Sequence, residues 1–98
     1  MKTDLSEKCN VAWFKLAEFV GRKEKERALA VYRLLAYSLS NDAFTAQLEG
    51  DLLLAFEDAK AFELYDRAAR LYERNGQHEH AAHLDHKIAR HRQRFTAL

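Results

Sequence analysis

The apolar positions of this chain fall into five blocks at helical spacing, divided by short polar breaks. The block predicted as a helix from Asp42 to Phe56 is not amphipathic in the ordinary way. At 3.6 residues per turn, Phe44, Leu48 and Ala55 fall on one side and Ala46 and Leu53 nearly opposite, with Leu52, Leu54 and Phe56 between. A short helix that is apolar on most sides is expected to be covered on more than one of them, which makes this segment the middle layer of a helical stack. Asn41 or Asp42 stands where an N-cap is needed. Glu49, Asp51, Glu57 and Asp58 interrupt the run, so it is not a membrane span.

The flanking blocks predict four further helices. The first runs from about Ser6 to Val20, with Asp4, Ser6 and Glu7 favourable at its start and Gly21 as the residue just past its end. Its broad apolar face holds Val11, Ala12, Trp13, Leu16, Ala17, Phe19 and Val20, and Phe14 lies off to one side. The second, about Lys23 to Leu39, opens in the solvated charge run RKEKER and continues as ALAVYRLLAY. The fourth, about Asp58 to Arg74, stops at Asn75-Gly76, and the fifth runs from about His78 to Arg94. The stripe of the fifth is Ala81, Ala82, Leu84, Ile88, Ala89 and Phe95. Connections of two to four residues make neighbouring helices antiparallel.

Composition agrees with an all-α chain. There is no proline, only three glycines, and few scattered β-branched residues among abundant Ala, Leu, Glu, Lys and Arg. Ninety-eight residues suit a single domain, 1–98. The N-terminus lacks the apolar core of a secretory signal, and Cys9 is the only cysteine, so no intrachain disulfide forms; a reducing, cytoplasmic setting is the simplest expectation. The net charge of +1 hides a partition: seven acids against Lys60 from Asp42 to Asp66, then Lys87, Arg90, Arg92 and Arg94 against Asp85.

An internal repeat organises these helices. A shift of 33 residues places Trp13 on Ala46, Ala17 on Gly50, Val20 on Leu53, Ala28 on Ala61, Leu29 on Phe62, Tyr32 on Tyr65 and Ala36 on Ala69. Small residues recur where helices are expected to cross closely, and two helices per unit at this period mean stacked helical hairpins. Gly50 is the sharpest case. A mid-helix glycine costs about 1 kcal/mol against alanine, so a neighbouring helix is expected to cross there, with Gly50→Leu strongly destabilising and Gly50→Ala near neutral.

Through Trp13, Leu16, Ala17, Val20, Ala28, Tyr32 and Leu35, and more loosely through Ala46, Gly50, Leu53, Ala61, Tyr65 and Ala68, the chain resembles the tetratricopeptide repeat family. The spacing between helices is one residue shorter than the family pattern, its repeat-ending proline is missing, and Glu49 stands in place of leucine. The resemblance implies an α-α superhelix of about two and a half hairpins: repeat 1 at about 6–39, repeat 2 at about 41–75, and a capping helix at about 78–95. An irregular five-helix bundle is the alternative.

Candidate chemistry is sparse. His78, His80, His83, His86 and His91 crowd the last third, but HEHAAH lacks HExxH spacing because Ala82 stands where the second histidine would be. His80 with His83, or His83 with His86, could share a metal beside Glu79. The same residues read more simply as the solvated face of an amphipathic helix, so no metal and no cofactor are expected. A neutral chain with an acidic centre and no aromatic interleaving does not suit nucleic acid. Cys9 beside Lys8 reads as an inert thiol. No phosphate loop, nucleophile elbow or carboxylate pair is present, so no catalytic residues are expected and the chain is not read as an enzyme.

The resemblance implies a protein-binding module, adaptor or small chaperone, that takes a peptide or helix on a concave face made by the first helix of each unit. Carried onto this chain, that face holds Phe14, Lys15 and Glu18, then Phe44, Gln47, Leu48 and Asp51, then His83, His86 and Arg90. The family's carboxylate clamp needs Lys and Asn where Phe14, Glu18 and Leu48 stand, so that ligand class is not expected. A subunit of a homo-oligomer or larger assembly is the alternative. Phe14 and Phe44 sit on the odd side of equivalent helices, and stacking is expected to join them in one surface whose loss would abolish association without lowering the melting temperature.

Overall fold

Helix ends decide where this chain turns. In the computed structural model, backbone is described for residues 2–39 and 41–96, and side chains for residues 11–39 and 41–93. The side chains of Asp4, Ser6, Glu7, Cys9, Arg94 and Phe95 lie outside the described residues. All regular structure among the described residues is helical: α1 Lys2–Gly21, α2 Lys25–Ser38, α3 Asp42–Ala55, α4 Ala61–Arg74 and α5 His78–Thr96. The chain divides into two compact units, Met1–Ser40 and Asn41–Leu98. No helix is long and apolar enough, among the described residues, to cross a membrane.

Three of the four connections share one hydrogen-bond pattern. After α1, the Glu24 N–H donates to the Phe19 carbonyl at 2.9 Å and the Lys23 N–H to Val20 at 3.0 Å. After α3, Asp58 donates to Leu53 and Glu57 to Leu54, each at 2.9 Å. After α4, Gln77 donates to Tyr72 at 2.8 Å and Gly76 to Glu73 at 3.0 Å. This is the Schellman arrangement, which satisfies the last carbonyls by putting one residue in the left-handed conformation. Gly76 takes it as expected, at φ 80°. Lys23 at φ 60° and Glu57 at φ 57° take it in the other two. Gly21, expected just past the end of α1, instead closes its last turn.

The cap pairs lie 34 residues apart, whereas the buried residues of the second helices repeat at 33. The difference is absorbed ahead of α4, where Ala61, Phe62 and Glu63 donate three residues back, to Asp58, Ala59 and Lys60. Asp58 Oδ1 accepts from the Lys60 N–H at 2.9 Å and holds that tighter turn. α3 begins as predicted, with the Asn41 side chain accepting from the Phe44 N–H at 3.1 Å.

In the first unit α1 and α2 fold back on each other around Leu16, Ala28, Tyr32 and Leu35. In the second, α4 packs against both α3 and α5. α4 buries Ala61, Phe62, Tyr65, Ala68, Ala69 and Tyr72, the i, i+1, i+4, i+7, i+8, i+11 face of one helix. α5 answers with Ala81, Leu84 and Ile88. α3 buries Ala43, Ala46, Gly50 and Leu53 along one side and Leu52 on the opposite side, consistent with a helix covered on more than one side.

The 33-residue repeat holds in the second helices and weakens in the first. Ala28 and Ala61 are both fully buried, and Tyr32 and Tyr65 are both buried, Tyr65 completely. Gly50 is buried, but Ala17, its equivalent, is exposed. A close crossing therefore exists at Gly50 and has no counterpart at Ala17.

Candidate interaction surfaces

The residues singled out from the sequence divide by unit. On α1, Phe14 is 77% exposed and Val11, three residues before it, is 52% exposed. Both lie away from Leu16, the residue α1 turns inward. Lys15 and Glu18 flank Phe14 in solvent, and Glu18 pairs with Arg22 at 2.8 Å. In the second unit Phe44 is 37% exposed and Leu48 is half-buried. Phe44 is thus a partly packed ring, unlike Phe14.

Gln47 and Asp51 turn toward their own unit. Gln47 Oε1 accepts from the Tyr72 hydroxyl at 2.7 Å. Asp51 Oδ1 accepts from the Tyr65 hydroxyl and from Lys87 Nζ at 2.9 Å. The Lys87 ammonium also stands 5.1 Å from the centre of the Tyr65 ring. One carboxylate on α3 thereby holds a tyrosine of α4 and a lysine of α5. Burial pushes the Tyr65 hydroxyl above the usual phenol range, and the hydrogen bond to Asp51 and its charge add to the effect. Tyr72 is raised too, by burial first and then by the charge on Asp51.

His83, His86 and Arg90 are exposed on α5, opposite Ala81, Leu84 and Ile88. His83 precedes Lys87 by four residues and Arg90 follows it by three, so both adjoin Lys87 on the helix surface. A run of cationic or protonatable groups therefore flanks the Asp51 site. Elsewhere in the unit the histidines make local contacts. His80 stacks on Tyr72 with centroids 4.6 Å apart, and His78 Nδ1 lies 2.6 Å from Glu73 Oε1. Among the described residues, no three His, Cys, Asp or Glu side chains gather in a way that could hold a metal ion.

Sequence reasoning passed over a second exposed apolar face. On α2, Leu34 is 70% and Tyr37 94% exposed, with Ala30 exposed on the same stripe. These residues sit opposite Ala28, Tyr32 and Leu35, which α2 turns toward α1. Their signal was present in the repeat. A shift of 33 residues takes Ala30, Leu34 and Tyr37 to Glu63, Arg67 and Arg70, so equivalent positions differ in character. No family model, no curated protein and no solved structure matches this chain.

Proposed function

We propose that this chain is a protein-interaction module, an adaptor or small chaperone of tetratricopeptide-like design, that binds a peptide or helix of a partner protein. The observation that supports it is Phe14. A phenylalanine 77% exposed beside a half-exposed Val11 adds nothing to the hairpin core, and aromatic anchors of this kind carry much of a contact's energy. Lys15 and Glu18 supply a charged rim. On the second unit, taken by itself, Phe44, Gln47, Leu48, Asp51, His83, His86 and Arg90 are the proposed contact residues, with Asp51 reaching a partner only by sharing its bonds to Tyr65 and Lys87. A reducing, cytoplasmic setting belongs to the same proposal, and the single cysteine Cys9 is compatible with it.

The test uses the full chain as bait for cell extract, identifies bound proteins, and titrates the purified partner against wild-type and Phe14→Asp chains. Loss of binding in Phe14→Asp, with circular dichroism unchanged, is the expected result. Undiminished binding would remove Phe14 from the function. Light scattering on the free chain separates an adaptor from a homo-oligomer subunit.

A further inference from the structure

The outer face of α2 is built differently from that of its repeat equivalent, and the difference is interpretable. On α4 the outward positions Glu63, Asp66, Arg67 and Arg70 are all charged and exposed, and Asp66 pairs with Arg70 at 3.2 Å. That is how this hairpin design presents a face to water. At the positions 33 residues earlier α2 carries Ala30, Arg33, Leu34 and Tyr37. Two large apolar side chains there are mostly in solvent. Neither contributes to the hairpin core.

Arg33 says what kind of partner fits. Its neighbours at three and four residues on the helix surface are Leu29, Ala30, Ala36 and Tyr37, none of them charged. Among the described residues it has no hydrogen bond or ion pair. The other charges along this face are Glu26 and Arg27, and Arg27 is turned to Glu24 at 3.8 Å and to the Phe19 ring. A partner laid over Leu34 and Tyr37 would desolvate Arg33, and a buried guanidinium requires a carboxylate or equivalent acceptor.

A second copy docked through this same α2 face does not provide one. A parallel twofold pair sets Arg33 against Arg33. An antiparallel pair that brings Glu26 to Arg33 puts Leu34 opposite Lys25 and carries Tyr37 past the start of α2, which abandons the apolar contact. We infer that the Ala30–Leu34–Tyr37 face of α2 is a docking site for an amphipathic, acidic helical segment of another protein, whose apolar residues cover Leu34 and Tyr37 and whose carboxylate pairs with Arg33. This surface is separate from the one around Phe14.

The experiment is a fluorescence-anisotropy titration of the full chain with three labelled synthetic helical peptides of about 18 residues, long enough to hold helix. One carries leucines at i, i+4 and i+7 flanked by glutamates. The second has lysines in place of the glutamates, and the third is the scrambled acidic sequence. Expected is binding of the acidic amphipathic peptide alone, weakened by salt and by about tenfold or more in Leu34→Asp and Tyr37→Asp. Arg33→Glu should reverse the preference toward the lysine peptide. Phe14→Ala should leave all of this unchanged, so failure here is distinct from failure of the Phe14 surface. These positions are exposed, and circular dichroism on each variant confirms the fold. Equal binding of acidic and basic peptides would overturn the inference, as would no binding of the acidic one. A concentration-dependent dimer dissolved by Tyr37→Asp would also overturn it, by making a second copy the occupant.

Discussion

The ring of Tyr65 occupies the space that a side chain on Gly50 would need. An ideal Cβ at Gly50 would stand 2.9 Å from two ring carbons and 3.2 Å from Cγ. Tyr65 is fully buried, and its hydroxyl is held by Asp51, the residue after Gly50. The ring packs closely on α3 because one residue has no side chain and the next supplies the acceptor.

This contact revises the expected effect of Gly50→Ala. Alanine gains about 1 kcal/mol in helix propensity, but overpacking a well-filled site costs about 1–3 kcal/mol. A ring fixed at both ends cannot swing aside cheaply. Gly50→Ala is therefore expected to lower stability by about 1 kcal/mol, and Gly50→Leu by considerably more, in urea unfolding followed by circular dichroism. The cost should shrink in a Tyr65→Phe background, where the hydroxyl anchor is gone. An alanine variant that melts higher than wild type would contradict the close crossing.

Lys23 and Glu57 hold left-handed backbone at φ 60° and 57° without being glycine. Their Cβ atoms pay a steric penalty that Gly76 avoids. Lys23→Gly and Glu57→Gly are expected to stabilise the protein by about 0.5–1 kcal/mol each, and Gly76→Ala to destabilise it by a similar amount. Thermal melts of the three single variants decide the matter; a lower melting point for both glycine variants would refute it.

Alkaline pH should loosen the second unit. The Tyr65 hydroxyl ionises far less readily in the folded chain than in an unfolded one, where the phenol titrates near 10. Above about pH 10 the unfolded state loses a proton that the folded state keeps, so stability falls by about 1.4 kcal/mol per pH unit for this group. Below that pH both states hold the proton and the group adds no pH dependence. Tyr72, raised in the same direction, adds to the slope. Denaturant midpoints measured from pH 8 to 11 should therefore decline more steeply for wild type than for Tyr65→Phe. Parallel curves would show that this hydroxyl is not protected.

Phe14 and Phe44, expected to behave alike, should separate in a stability measurement. Phe14 at 77% exposure has little packing to lose, so Phe14→Ala should leave the unfolding free energy within about 0.5 kcal/mol of wild type. Phe44 keeps only 37% of its surface in solvent, and Phe44→Ala should cost about 1–2 kcal/mol. Only Phe14→Ala therefore serves as a clean probe of association. Equal melting shifts for the two variants would remove that distinction.

Periodicity and cap residues alone determined the five helices, the Asn41 cap, the stop at Asn75-Gly76 and the burial of Ala28 with Ala61 and Tyr32 with Tyr65. These are local properties, because a helix's inward face follows from spacing of 3.6 and its ends from side chains within one turn. Tertiary structure decided the rest. Asp51 reaches Tyr65 and Lys87, 14 and 36 residues away, so its partners depend on which helices pack and at what height. Ala17 and Gly50 match in the repeat, yet only Gly50 meets a ring. The left-handed turns fell on Lys23 and Glu57 rather than on Gly21 because the Schellman bonds close where the helix stops, and the chain accepts the strain of a Cβ there to satisfy the helix-end carbonyls.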